Sequence, residues 1–136
     1  MRRMLSLFVL ALTVAVSGLQ AQSSSSTADQ LIGTWSGTYA GDGSGKYTMV
    51  LSREAGKLGG TVDTVADGAG GYKATFKSIV VDGKTAKMAY DEPDNPNLEI
   101  SLEATVDGAS MTGTWKTTNI DTKNVLASGT FTGSKH

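Results

Sequence analysis

The chain has 136 residues, with 17 glycines, no cysteine, one histidine and a net charge of −1 from 12 basic and 13 acidic side chains. With no thiol and with its single imidazole at the last position, His136, it lacks the groups for thiol catalysis, a Ser-His-Asp triad or an ordinary zinc site. No basic stripe is present, which excludes a nucleic-acid partner.

The chain opens with Met1-Arg-Arg-Met, a short positive segment, followed by an apolar run from Leu5 to Val16 and the small residues Gly18 and Ala21. This is the pattern of a Sec-type signal peptide over 1–21, cleaved after Ala21 or, alternatively, after Gly18. The run is shorter than the ~20 residues a membrane span needs, and without cysteine there is no lipoprotein anchor. The expected product is a free protein, secreted or periplasmic in a bacterium. Losing Arg2 and Arg3 leaves ten basic against thirteen acidic residues, a net charge of −3. Export usually brings disulfides. Here a core alone must hold a mature chain of roughly 115 residues, enough for one domain that buries about two-thirds of its unfolded surface. The polar stretch 22–30, beginning Gln-Ser-Ser-Ser-Ser-Thr, is expected as a linker. The domain follows over 31–133, and 134–136 is expected as a loose tail.

Beyond the signal peptide, apolar residues recur with period two. In 98–106, Leu98, Ile100, Leu102, Ala104 and Val106 share one face and Glu99, Ser101, Glu103 and Thr105 the other, the pattern of a half-buried antiparallel strand. The same alternation and the intervening Gly/Asp turn signals predict eight strands, about 33–39, 46–53, 58–65, 72–80, 85–90, 98–107, 111–118 and 125–132. Both prolines fall in the loop 91–97, outside any strand interior. The predicted fold class is all-β, an eight-stranded antiparallel up-and-down meander barrel, with a two-sheet β-sandwich as the alternative. Outward Glu, Lys, Ser and Thr argue against a membrane barrel.

One unit recurs along this pattern: Gly33-Thr-Trp35, Gly60-Thr-Val62, Gly113-Thr-Trp115 and Gly129-Thr-Phe131. Glycine at an inward position relieves crowding where a strand coils, threonine suits the outer pleat and the large residue fills the interior. The unit is therefore read as architecture.

Gly33-Thr34-Trp35 resembles the opening G-x-W of the calycin superfamily, which comprises lipocalins, fatty-acid-binding proteins and avidins. In length and layout the chain is most similar to the avidins, with LGGTV and VLASGTFTG resembling two further avidin strands. The resemblance implies a container with one interior site. It does not imply biotin. Gly37, Gly41 and Gly129 stand where avidins carry a ligand-contacting Asn, Ser and Asp, Val62 replaces a Tyr, and Thr64 replaces a Ser. A buried polar ligand left without those partners is not held tightly. Lipocalins and fatty-acid-binding proteins add a helix or helical lid, and the sequence shows neither.

Two carboxylate groupings compete with the interior. Glu99 and Glu103, on the wet face of one strand, are the best pair for a hydrolase, but nothing buries them, and surface charge is the expected role. Asp91, Glu92, Asp94, Asn95 and Asn97 offer oxygen ligands without a calcium-loop spacing. No catalytic residue, metal ligand or cofactor is expected. The interior offers Trp35, Tyr39, Tyr47, Tyr72, Phe76, Tyr90 and Trp115 as ligand-binding residues, beside Phe131 and the adaptable Met49, Met88 and Met111. The expected function is non-catalytic binding of a small apolar or amphipathic ligand inside the barrel. The alternative is a packed module that binds an unknown protein. A pocket of several hundred (roughly 300–1,000) Å³ would favour the first.

Overall fold

A computed structural model describes residues 26–136, so the expected signal peptide (1–21) and the start of the expected linker lie outside the described residues. One short helix, α1 (Thr27–Leu31), precedes nine strands. These are β1 (Gly33–Gly41), β2 (Gly45–Glu54), β3 (Lys57–Ala66), β4 (Gly71–Thr75), β5 (Ser78–Asp82), β6 (Thr85–Glu92), β7 (Asn95–Asp107), β8 (Ser110–Asn119) and β9 (Val125–Lys135). All nine form one antiparallel sheet in the order β4-β3-β2-β1-β9-β8-β7-β6-β5. The fold is all-β and up-and-down, as the alternation predicts. No described helix is long and apolar enough to cross a membrane.

Four differences from the sequence reading have local causes. The strand expected over 72–80 is two strands. Tyr72, Ala74 and Phe76 face the core, then the phase slips and Ile79 and Val81 take over the inward positions. At the slip the chain changes partners: Phe76 N donates to Gly60 O on β3 (2.9 Å), and Lys77 N donates to Ala89 O on β6 (2.8 Å). α1 occupies part of the expected linker. The Ser26 hydroxyl caps it by accepting from Asp29 N (3.2 Å), which satisfies one of the free N–H groups of the first turn. β9 runs through Lys135 into the expected tail, and His136 N donates to Thr34 O (2.9 Å). Finally, Pro96 is the second residue of β7, beyond the stretch that pairs with β8, so no ladder bond is lost there.

The core follows the alternation. Trp35, Tyr47, Met49, Leu51, Val62, Ala74, Phe76, Ala86, Met88, Tyr90, Ile100, Ala104, Val106, Met111 and Phe131 are buried on one face of the sheet, and Leu31 of α1 joins them. No charged side chain is buried among the described residues. Tight turns set the register. In the β2–β3 turn Ala55 and Gly56 both have positive φ (51° and 78°), the type I′ geometry whose twist matches that of paired strands.

α1 anchors one end of this core. Trp35 is fully buried and its Nε1 donates to Leu31 O (2.8 Å), so the last turn of the helix is held by the indole of the first strand. Lys135 closes the arrangement from β9. Its Nζ donates to Gln30 O (2.7 Å) and lies 5.7 Å from the Trp35 ring centroid, within cation–π range.

Candidate functional site: an aromatic cavity opposite the helix

The strand connections separate the molecule into two ends. α1 and the β2–β3, β5–β6 and β7–β8 turns lie at one; the β1–β2, β3–β4, β6–β7 and β8–β9 loops lie at the other. At the second end the core face holds a cavity of about 100 Å³ that opens to solvent. Its aromatic walls are Tyr39, Tyr47, Tyr72, Tyr90, Trp115 and Phe131; Met49, Val62, Ile100 and Leu102 form apolar wall, and Thr64 and Thr117 add hydroxyls. It is smaller than the several hundred Å³ set by the sequence reading. The difference is filled core: Trp35, Met49, Met88 and Met111 are all essentially fully buried.

Two of the rings are positioned by glycines on neighbouring strands. Gly37 of β1 pairs with Tyr47 on one side and Gly133 on the other. The missing side chains leave a channel across β1 along which the Tyr47 ring lies, and its Oη donates to Thr132 O on β9 (2.9 Å). A Cβ on Gly133 would overlap that hydroxyl. Trp115 makes the converse crossing. It pairs with Gly129, lies over it, and donates from Nε1 to Ala40 O on β1 (3.1 Å). A Cβ on Gly129 would fall 2.6 Å from that nitrogen and would overlap Ala40 O. The glycine of Gly-Thr-Phe thus makes the seat for the tryptophan of Gly-Thr-Trp. The aromatics then brace one another edge to face, Tyr39 against Trp115 (6.0 Å between centroids) and Tyr47 against Phe131 (5.9 Å), geometries that the ring quadrupoles favour.

Of the seven residues the sequence offers as ligand-binding, Tyr39, Tyr47, Tyr72, Tyr90 and Trp115 border the cavity, and Trp35 and Phe76 do not. Trp35 is committed to α1 at the far end. Phe76 packs edge to face behind Tyr90 (5.7 Å) at the β4–β5 junction. Sequence reasoning missed Val62, Ile100, Leu102, Thr64 and Thr117. Their inward parity was readable, but their height relative to the aromatics depends on register.

The cavity's polar atoms are largely spoken for. Tyr72 Oη and Tyr90 Oη are 2.7 Å apart and share a hydrogen bond. Burial pushes the Tyr90 phenol well up, with Tyr72 and the nearby Glu92 adding to the shift. Burial alone pushes Tyr47 up to about 12. Tyr39 is raised by burial first, then by Tyr72 and Asp67, and Tyr72 is raised by burial against hydrogen bonds with Tyr90 and Thr64 that pull the other way. All four tyrosines are therefore neutral near pH 7.

The other candidates lie outside this cavity. Glu99 and Glu103 border a broad depression on the outer face of β5–β9. Lys77 Nζ bridges Asp91 Oδ1 (2.7 Å) and Glu99 Oε2 (2.6 Å), and Glu103 stands across the sheet from Lys87. Over 91–97, expected as a loop but formed by the end of β6 and the start of β7, Asp91 is held by that ion pair, and Asn95 Oδ1 accepts from Asn97 N (3.3 Å). Among the described residues no three His, Asp or Glu side chains gather as a metal site. Comparison with protein-family models found no match, and comparison with curated proteins found none either.

Proposed function

We propose that the chain is an exported, non-catalytic binding module whose sheet closes into a calycin-like barrel and takes a small amphipathic ligand in the cavity opposite α1. Closure is supported by the edges of the sheet. β4 and β5 are its two outer strands, only Phe76 and Lys77 separate them in the chain, and the partner changes from β3 to β6 between those two residues. A single sheet that buries one face, with no second layer among the described residues apart from a five-residue helix, has to wrap on itself to keep that face dry. One continuous ladder also favours a barrel over a sandwich. The G-x-W resemblance on β1 agrees with a barrel.

The observation that carries the binding reading is the cavity, which is apolar-walled, open at one end and equipped with a few hydroxyls. Its size selects a compact ligand or one compact group of a larger ligand. The filled remainder of the interior favours a second reading, a packed module that acts through its outer surface against a protein. Native mass spectrometry of the protein purified from its own host separates the two. A co-purifying small molecule that is lost in Trp115→Ala supports binding; a clean apo mass under gentle conditions moves the assignment to the packed module.

A further inference from the structure

The cavity end and the helix end differ in charge. The loops and strand ends around the cavity carry Asp42, Asp67, Glu92, Asp94 and Asp121 against the single Lys123. At the helix end Asp29, Glu54, Asp82 and Asp107 are balanced by Arg53, Lys57, Lys84 and Lys135. The lysines nearest the cavity on the strands, Lys46, Lys73 and Lys116, occupy outward positions and are exposed. The acidic groups act on the cavity itself, since the phenol of Tyr39 feels Asp67 and that of Tyr72 feels Glu92 and Asp94. Among the described residues none of the five forms an ion pair: Asp42 accepts from Ser128 N (2.9 Å) and Asp67 from the Ser44 hydroxyl (3.0 Å).

Resting on the binding reading above, we infer that the cavity takes a small organic cation, an alkylated ammonium group enclosed by Tyr39, Tyr72, Tyr90 and Trp115. Three features select this class. The walls are aromatic, and tyrosine and tryptophan faces attract cations through their quadrupoles, more strongly where water is excluded. Several of the donors an anion would use are already engaged: Trp115 Nε1 by Ala40 O, Tyr47 Oη by Thr132 O, and one hydroxyl proton of the Tyr72–Tyr90 pair within that pair. The volume of about 100 Å³ suits a compact head and no long chain. The acidic rim concentrates cations at the mouth and opposes carboxylates and phosphates. The site is the aromatic cavity; the carboxylates set the sign of what enters it.

The test compares choline with 3,3-dimethylbutan-1-ol, which has the same shape and lacks the charge, by titration of the whole mature protein followed through Trp115 fluorescence. Choline is expected to bind about tenfold tighter or more, as one or two desolvated cation–π contacts would give. In Glu92→Gln/Asp94→Asn choline affinity falls roughly threefold or more while the neutral isostere is unaffected. Asp94 is exposed in the β6–β7 turn and Glu92 is half-buried at the end of β6, and both substitutions are near-isosteric, so the variant is expected to keep its fold, checked by circular dichroism. Equal affinity for the two probes overturns the cation inference and leaves the cavity reading standing. Binding of neither probe overturns both.

Discussion

Replacing Trp35 with phenylalanine tests how firmly the helix end is held. Trp35 is fully buried, and its Nε1 is the partner of Leu31 O at 2.8 Å. Phenylalanine keeps the ring under Lys135 but leaves that carbonyl buried and unpaired, at a cost of about 1–3 kcal/mol. The smaller ring also vacates about 40 Å³, worth about 1 kcal/mol at ~24 cal/mol per Å³ of residual cavity. The total is about 3 kcal/mol. Urea unfolding followed by far-ultraviolet circular dichroism converts this to a midpoint lower by about 2 M, with a slope of roughly 1.5 kcal/mol per M for a domain of this size. The slope itself stays unchanged, because the same surface is exposed on unfolding. A midpoint within about 0.5 M of wild type would refute the view that α1 is fastened to the core through this bond.

Gly129→Ala places a methyl against Ala40 O and the Trp115 indole and is expected to cost more than about 2 kcal/mol, with Trp115 emission shifted to the red. Gly59→Ala, where a Cβ meets nothing within 4 Å, changes the unfolding free energy by no more than a surface substitution does, about 0.5 kcal/mol either way. In alkali the phenols govern stability. Tyr47 has a folded pKa of about 12 against 10.0 unfolded, so its contribution is fully present below pH 10, declines as the unfolded state releases its proton, and is gone above about 12. Absorbance at 295 nm should therefore show tyrosinate appearing together with unfolding in that window, and tyrosinate formed in a still-folded protein at pH 10 would contradict the buried placement. Lys77→Ala removes a two-carboxylate pair at the β4–β5 junction, but the groups are exposed, and its cost should stay below about 1 kcal/mol and shrink with added salt.

The period-two pattern made most of the sheet legible. Ile100, Ala104 and Val106 are buried as 98–106 predicts, and Glu103 and Thr105 face out. The β4–β5 break carried a signal too, since the inward series 72, 74, 76 resumes at 79, an odd step that moves the chain to the opposite face unless it bulges. α1 was harder to see. Five residues show no helical period, and the capping pattern Ser26-x-x-Asp29 sits inside a serine-rich run that reads as linker. The cavity was half legible. Alternation named the inward aromatics, but their height and what lies beneath them come from register. Tyr47 faces Gly37 and, beyond it, Gly133 only because β1 pairs with both β2 and β9 in one particular frame. The β8–β9 pairing also gives one unit of the Gly-Thr-aromatic repeat a more definite meaning, since Gly129 seats the Trp115 indole of the neighbouring strand.

The two tryptophans allow the most direct test of a site at one end only. Each gives one indole N–H signal in a proton–nitrogen NMR spectrum. Trp115 borders the cavity, and Trp35 lies at the far end bonded to Leu31 O. On titration with choline the Trp115 signal is expected to move and saturate while that of Trp35 stays in place. Movement of both signals together, or of neither at millimolar choline and 3,3-dimethylbutan-1-ol, would contradict a ligand site between the tyrosines and Trp115.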